Sequence, residues 1–155
     1  MFFLEIPERA RNSKRFVKVR KKEQIDKTIG LMNKAVPDCL VSGYERISST
    51  LRLPDENDRH VLAAAIIANA GVIVTFNIKD FPQDQLKPFN IEAQHPDEFL
   101  LHLLSLDPIK VLSVLKSMRQ RLKNPPKKAR AFLDTLRNQN IPLFVSDIEG
   151  SISLI

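Results

Sequence analysis

Between Arg59 and Phe76 a helix-forming run that is apolar nearly all round is followed, after one glycine, by an unbroken β-branched run. Val61-Leu62-Ala63-Ala64-Ala65-Ile66-Ile67-Ala68 leaves almost no polar face, so a helix of these residues has to be covered on most sides. Its small side chains suit close packing on a sheet. Val72-Ile73-Val74-Thr75-Phe76 does not alternate with polar residues, which is the pattern of a parallel strand covered on both faces. Gly71 stands where the glycine that ends a helix belongs. Two such elements in succession demand a layered α/β architecture.

The flanking sequence extends that reading. Glu23 to Ala35 carries Ile25, Ile29, Leu31 and Met32 at near-helical spacing and stops at Val36-Pro37. Cys39-Leu40-Val41 reads as a short buried strand, and Leu53 to Asp58 as a loop rich in turn and cap formers. Asn77 to Pro82 is a loop, Gln83 to Leu86 a helical turn, and Asn90 to Ala93 a short edge strand. From His95 the pattern becomes helical. Pro96 at a first helical position, with Asp97 and Glu98 in the first turn, opens one helix. Asp107-Pro108 repeats the signature for Ile109 to Leu122, Asn124-Pro125-Pro126 stops it, and Ala129 to Asn138 forms a third helix. The small, polar stretch from Asp147 onward is expected to be loosely ordered. Residues 1–94 are thus expected to form an α/β domain and residues 95–155 an all-α extension.

Composition excludes several classes. The 155 residues suffice for one domain with an appendage. No run approaches the roughly 18 apolar residues of a membrane span. A single Cys39 excludes a disulfide framework or a cysteine-built zinc site, and with no secretory leader points to a reducing cytoplasm. The formal net charge of +6 favours a polyanionic partner, chiefly nucleic acid. It is concentrated in two clusters, Arg9 to Lys22 and Lys116 to Arg130. Each is also readable as a solvated helix face.

Against this basic background, Asp55, Glu56 and Asp58 form an acidic knot. In open parallel sheets functional groups gather at the carboxyl ends of strands. Asp58 precedes the Ala-rich helix, Asn77 follows the strand directly, and Asp80 comes three residues later. A helix and a turn separate the two groups, so the chain returns Asn77 and Asp80 to the face where Asp58 stands. Oxygen-only clusters suit hard cations such as Mg²⁺ or Mn²⁺, which can activate a water and clamp a displacement at phosphorus. Thr75 and Asn77 could position the cation's waters. The alternative is structural: Asp55, Asn57 and Asp58 are all good N-caps, and Asn77 to Asp80 is a reasonable turn. His60 and His95 fit local hydrogen bonds near helix starts, and His102 an ordinary helix surface. No second ligand at zinc spacing accompanies any of them. No P-loop, GxGxxG or GxSxG motif occurs.

The stretch Leu53-Pro54-Asp55-Glu56-Asn57-Asp58-Arg59-His60-Val61-Leu62-Ala63-Ala64-Ala65, followed by Val72 to Pro82, resembles a PIN domain. It is most similar to the VapC-type toxins of bacterial toxin–antitoxin pairs. The likeness reaches Gly43-Tyr44-Glu45 upstream, Ile91 to Leu100 downstream, and Asn124-Pro125-Pro126. The last places the chain with a PIN subgroup that has its own C-terminal helical domain. The resemblance implies a PIN-like, Rossmann-like parallel sheet and Mg²⁺- or Mn²⁺-dependent endoribonuclease activity. RNA is then the substrate, a helix-turn-helix antitoxin the protein partner, and a homodimer the expected assembly. Carried over by motif, Asp58 matches the family's third acid and Asn77 its fourth position, with Asp80 close by. Glu8, and less well Glu5, matches the helical glutamate. Asp58, Glu8 and Asp80 are then the metal ligands, and Arg15, Lys18, Arg20, Arg59 and Lys79 would meet RNA.

The family's opening strand, which ends in Asp-Thr-Asn or Asp-Ala-Asn, has no counterpart of that form here. An N-terminally truncated sheet is therefore expected, with an incomplete active site. Three readings follow: a metal-dependent ribonuclease, an impaired remnant that binds RNA or antitoxin, and a non-catalytic subunit whose open sheet edge is capped by another copy.

Overall fold

Val72–Val74, strand β2, is the middle of a three-stranded sheet in the order β1-β2-β3. The computed structural model describes residues 2–4, 18–36 and 40–155. It divides into two units, Met1–Ala93 and Gln94–Ile155. Strand β1, Phe2–Leu4, runs parallel to β2 with Phe2 opposite Val72, Phe3 opposite Ile73 and Leu4 opposite Val74. The opening apolar residues thus occupy that edge of β2. Three consecutive apolar residues are enough for this, because a ladder needs only backbone groups and side chains that tolerate burial. The third strand, β3, is Glu92–Gln94. Glu92 N–H donates to the Gly71 carbonyl at 3.0 Å, hooking β3 to the entry of β2.

With both edges of β2 taken, none is left for the strand expected at Cys39-Leu40-Val41. Cys39 lies outside the described residues, Leu40 is 73% exposed, and residues 40–42 form no strand. Helix α1 spans Lys18–Ala35, starting five residues earlier than the apolar spacing suggests. A short helix α2, Glu45–Ser48, precedes the acidic loop.

Helix α3, Arg59–Ile67, buries Val61, Leu62, Ala63, Ala64 and Ala65. Val61, Leu62, Ala63 and Ala65 share a core with Ile73 of β2 and with Leu51, Leu53, Phe81, Leu86 and Ile91. Four alanine-sized or smaller steps in the sequence make this close approach of helix and sheet feasible, since protein interiors tolerate few voids. The helix ends two residues earlier than Gly71 implies. Asn69 takes the left-handed conformation (φ 50°), with Ala70 N–H bonded to the Ala65 carbonyl and Asn69 N–H to that of Ile66. This is a Schellman closure with asparagine, the other residue that tolerates that conformation. Helix α4, Gln83–Leu86, follows the loop after β2.

The second unit is helical: α5 Pro96–Leu106, α6 Pro108–Arg121, α7 Ala129–Arg137 and α8 Pro142–Ile148. Proline opens α5, α6 and α8, as its fixed φ and missing N–H favour. Asp107 caps α6 by accepting from Lys110 N–H at 2.9 Å. Leu104, Leu115, Phe132, Leu133, Phe144, Val145 and Ile148 form the core. The tail expected to be loose is packed: a 3₁₀ segment, Glu149–Leu154, follows α8, and Ile155 is 4% exposed. Isoleucines at 148, 152 and 155 recur at three- and four-residue spacing and face this core. Glu149 also joins Arg137 at 2.5 Å and Arg130 at 3.4 Å.

Candidate active site

The acidic knot is sorted by local geometry into separate roles. Asp55 caps the turn Glu56–Asp58, its Oδ1 accepting from Asn57 N–H at 2.8 Å and from Asn57 Nδ2 at 2.9 Å. Glu56 pairs with Arg59 at 2.7 Å. Asp58 occupies the N-cap position of α3 yet makes no side-chain cap hydrogen bond. Of the three capping candidates Asp55, Asn57 and Asp58, Asp55 takes the cap of this turn. Asp58 stands half-buried at the entry of the Ala-rich helix.

Chain length brings Asp58 and Asn77 to the same end of the sheet. Helix α3 rises about 13 Å over its nine residues, and the path from Val72 to Asn77 is about 16 Å. A four-residue turn, 68–71, reverses the chain between them, and the two elements pack in one core. The helix start and the strand end thus lie at one edge, the carboxyl edge of β2.

Beyond β2, the buried Thr75 accepts the Asn77 N–H through Oγ1 at 3.0 Å. Asn77 Nδ2 donates to Asp80 Oδ2. Ile78–Asp80 is a 3₁₀ turn, anchored behind by Phe81 at 1% exposure. Phe81 is therefore a core anchor and not a base-stacking surface. Lys79 on this turn is exposed. Arg59, 25% exposed, is held by Glu56. Lys18 and Arg20 lie in the first turn of α1. Glu5, Glu8 and Arg15 lie outside the described residues.

A cleft of about 460 Å³ opens between α2 and the acidic loop, lined by Tyr44, Ser48, Ser49, Glu56, Arg59 and His60 among others; Asp58 is not part of its lining. The serines are the part that the sequence reading missed. Only Gly43-Tyr44-Glu45, noted as part of the family likeness, points to this wall. His60 Nδ1 lies 2.5 Å from the Asn57 carbonyl oxygen, the local hydrogen bond expected of it. His95 likewise caps α5, accepting from Asp97 N–H at 3.2 Å.

The donors that gather here are carboxylate and amide oxygens, the chemistry that a hard divalent cation takes. Among the described residues, however, no group of three or more His, Cys, Asp or Glu side chains could hold a metal ion.

An α/β unit with an acidic sheet edge, followed by a helical unit, has relatives. Residues 96–150 match the family model described as the VapC50 C-terminal domain. A Mycobacterium tuberculosis (strain ATCC 25618 / H37Rv) protein, provisionally named ribonuclease VapC50, is 46% identical over 89 residues, covering 57% of this chain and 52% of that protein. The chain thus spans about half the length of this curated relative. Both matches support the VapC-type kinship carried by the central motif. No solved structure matches the chain.

Proposed function

We propose that this chain is a VapC-type endoribonuclease toxin, with a PIN-like α/β unit, dependent on Mg²⁺ or Mn²⁺. RNA is its substrate in the cytoplasm, and an antitoxin of helix-turn-helix type its cognate partner, with a homodimer as the assembly. One observation carries the reading. Asn77 and Asp80 are hydrogen-bonded to each other on the turn after β2, and Asp58 holds the N-cap position of α3, the helix that shares a core with β2.

In this reading Asp58 and Asp80, joined by Glu8, ligate the cation. When bound, such a cation supplies an acidified water as nucleophile and neutralises charge on the phosphoryl oxygens. Asn77, its amide N–H held by Asp80, presents its side-chain oxygen to orient a water. Lys79 and Arg59 flank the edge and would meet the phosphates on either side. Lys18, Arg20 and Arg15 would extend that path. Arg59 would exchange its bond to Glu56 for a phosphate, a change favoured by the bidentate fit of guanidinium to phosphate oxygens.

RNA cleavage measured with Mg²⁺ or Mn²⁺ tests the proposal. Cleavage by the wild type that Asp58→Asn abolishes supports it, and a folded wild type without metal-dependent cleavage sinks it. A second reading, an impaired remnant that binds RNA or antitoxin, is favoured by the incomplete carboxylate set among the described residues. Salt-sensitive RNA binding without cleavage would decide for it.

A further inference from the structure

The helical unit carries a long stretch of one charge sign. From Lys110 to Arg130 there are eight basic residues, namely Lys110, Lys116, Arg119, Arg121, Lys123, Lys127, Lys128 and Arg130, and no acid between Asp107 and Asp134. Most of this charge is not neutralised within the fold. Lys116, Arg121, Lys123 and Lys128 are exposed, and their side chains have no hydrogen bond or ion pair among the described residues. Arg130 is the member paired with acids, Asp134 and Glu149.

Two further cations are bonded to neutral oxygens. Arg119 Nη1 donates to the Lys127 carbonyl at 3.2 Å, and Lys127 Nζ to Thr135 Oγ1 at 2.5 Å. These contacts tie the last turn of α6 to the segment entering α7. The loop between them, Leu122 to Lys128, is folded back, so cations distant in sequence share one end of the hairpin. A loop that needed only closure could use a neutral donor. Here closure is made by two more positive charges, which raises the local repulsion that a bound polyanion would relieve.

We propose that this α6–α7 hairpin is a phosphate-backbone grip for RNA, separate from the carboxylate edge. RNA as the polyanion rests on the reading above; the grip itself does not. The stretch holds one aromatic residue, Phe132, and it is 5% exposed. Base stacking is therefore not on offer, and recognition is by charge with little dependence on base sequence. A membrane surface fits less well. The segment does expose Ile109, Val114, Met118 and Leu122, but no exposed aromatic anchor accompanies the lysines.

The test uses the full chain and a fluorescein-labelled RNA hairpin, with anisotropy recorded over a salt series. Each lost phosphate contact lowers the slope of log K against log salt by about 0.7–0.9. The variant Lys116→Gln/Arg121→Gln/Lys123→Gln/Lys128→Gln is expected to lower it by about 3 and to weaken binding at least about tenfold at moderate salt. A control, Lys27→Gln/Lys34→Gln/Arg52→Gln/Lys87→Gln, removes equal charge from exposed positions elsewhere and is expected to change the slope far less. Circular dichroism is expected to match wild type for both. Equal losses in the two variants, or no loss in the first, would overturn the proposal. So would loss of binding to phosphatidylserine vesicles with RNA binding intact. If the wild type cleaves nothing yet the four-residue variant of residues 116–128 shows the slope loss, the grip stands and the enzyme reading falls.

Discussion

Asp97 is the residue whose removal tests the second unit most directly. It is 3% exposed and lies in the first turn of α5, but its carboxylate serves α8. Oδ2 accepts Leu143 N–H at 2.9 Å and Oδ1 accepts Phe144 N–H at 2.7 Å. These are the second and third residues of α8, whose own N-cap residue, Ile141, provides no side-chain acceptor. Asp97 is thus a cap supplied from another helix, 46 residues away in sequence. In Asp97→Ala the buried Phe144 N–H loses its acceptor at a cost of about 1–3 kcal/mol. The Leu143 N–H, beside an exposed residue, is partly rescued by water and adds about 0.5–1 kcal/mol. Lost favourable charge at the helix N-terminus adds about 0.3–1 kcal/mol. The sum is about 2–5 kcal/mol, a large share of the stability of a domain this size. Asp97→Asn keeps one acceptor oxygen and is expected to cost about half as much. Urea unfolding followed by circular dichroism reads the total. Amide exchange at Phe144 and Leu143 locates it, and both are expected to accelerate more than Leu133. Asp97→Ala within about 0.5 kcal/mol of wild type, the range of ordinary surface changes, would refute the reasoning. Equal costs for the Ala and Asn variants would refute the two-acceptor account.

Two further predictions concern the α/β unit. Ala65, fully buried where α3 meets the sheet, has no room for a larger side chain, so Ala65→Leu is expected to cost about 1–3 kcal/mol, read by urea or thermal unfolding. Asn69 holds a left-handed φ, so Asn69→Val is expected to lose about 1–2 kcal/mol while Asn69→Gly is neutral within a few tenths. Equal stability of the Val and Gly variants would remove the Schellman closure from the account.

Elements whose signals are local were legible before any coordinates. Pro96 and Pro108 at helix starts, the Ala-rich run, and the β-branched run after it each work through residues within one turn or one strand. The cap roles of His95 and Asp107 were legible for the same reason, since each side chain bonds a backbone N–H two or three residues ahead. The acidic loop was legible as a candidate site but not in its division of labour. Asp55 and Asp58 are chemically equivalent caps, and only the backbone conformation around Asn57 decides that Asp55 takes the bond.

Other outcomes lay beyond any local signal. Phe2-Phe3-Leu4 is too short to announce itself as a strand and becomes one through its partner, β2. Isoleucines at 148, 152 and 155 look isolated among small polar residues, and their order comes from a core built by α5, α7 and α8. The sequence alone supplied the proline-opened helices, the Ala-rich helix with the strand after it, the resemblance to VapC-type toxins and the one-signed charge of residues 110–130. Tertiary structure decided which edge of β2 is filled, that Asp55 caps the acidic turn, and that Asp97 serves α8 and not its own helix. A carboxylate offers the same two acceptors wherever it stands. Which donors it meets is set by chain segments 46 residues apart, and no pattern within a few residues carries that information.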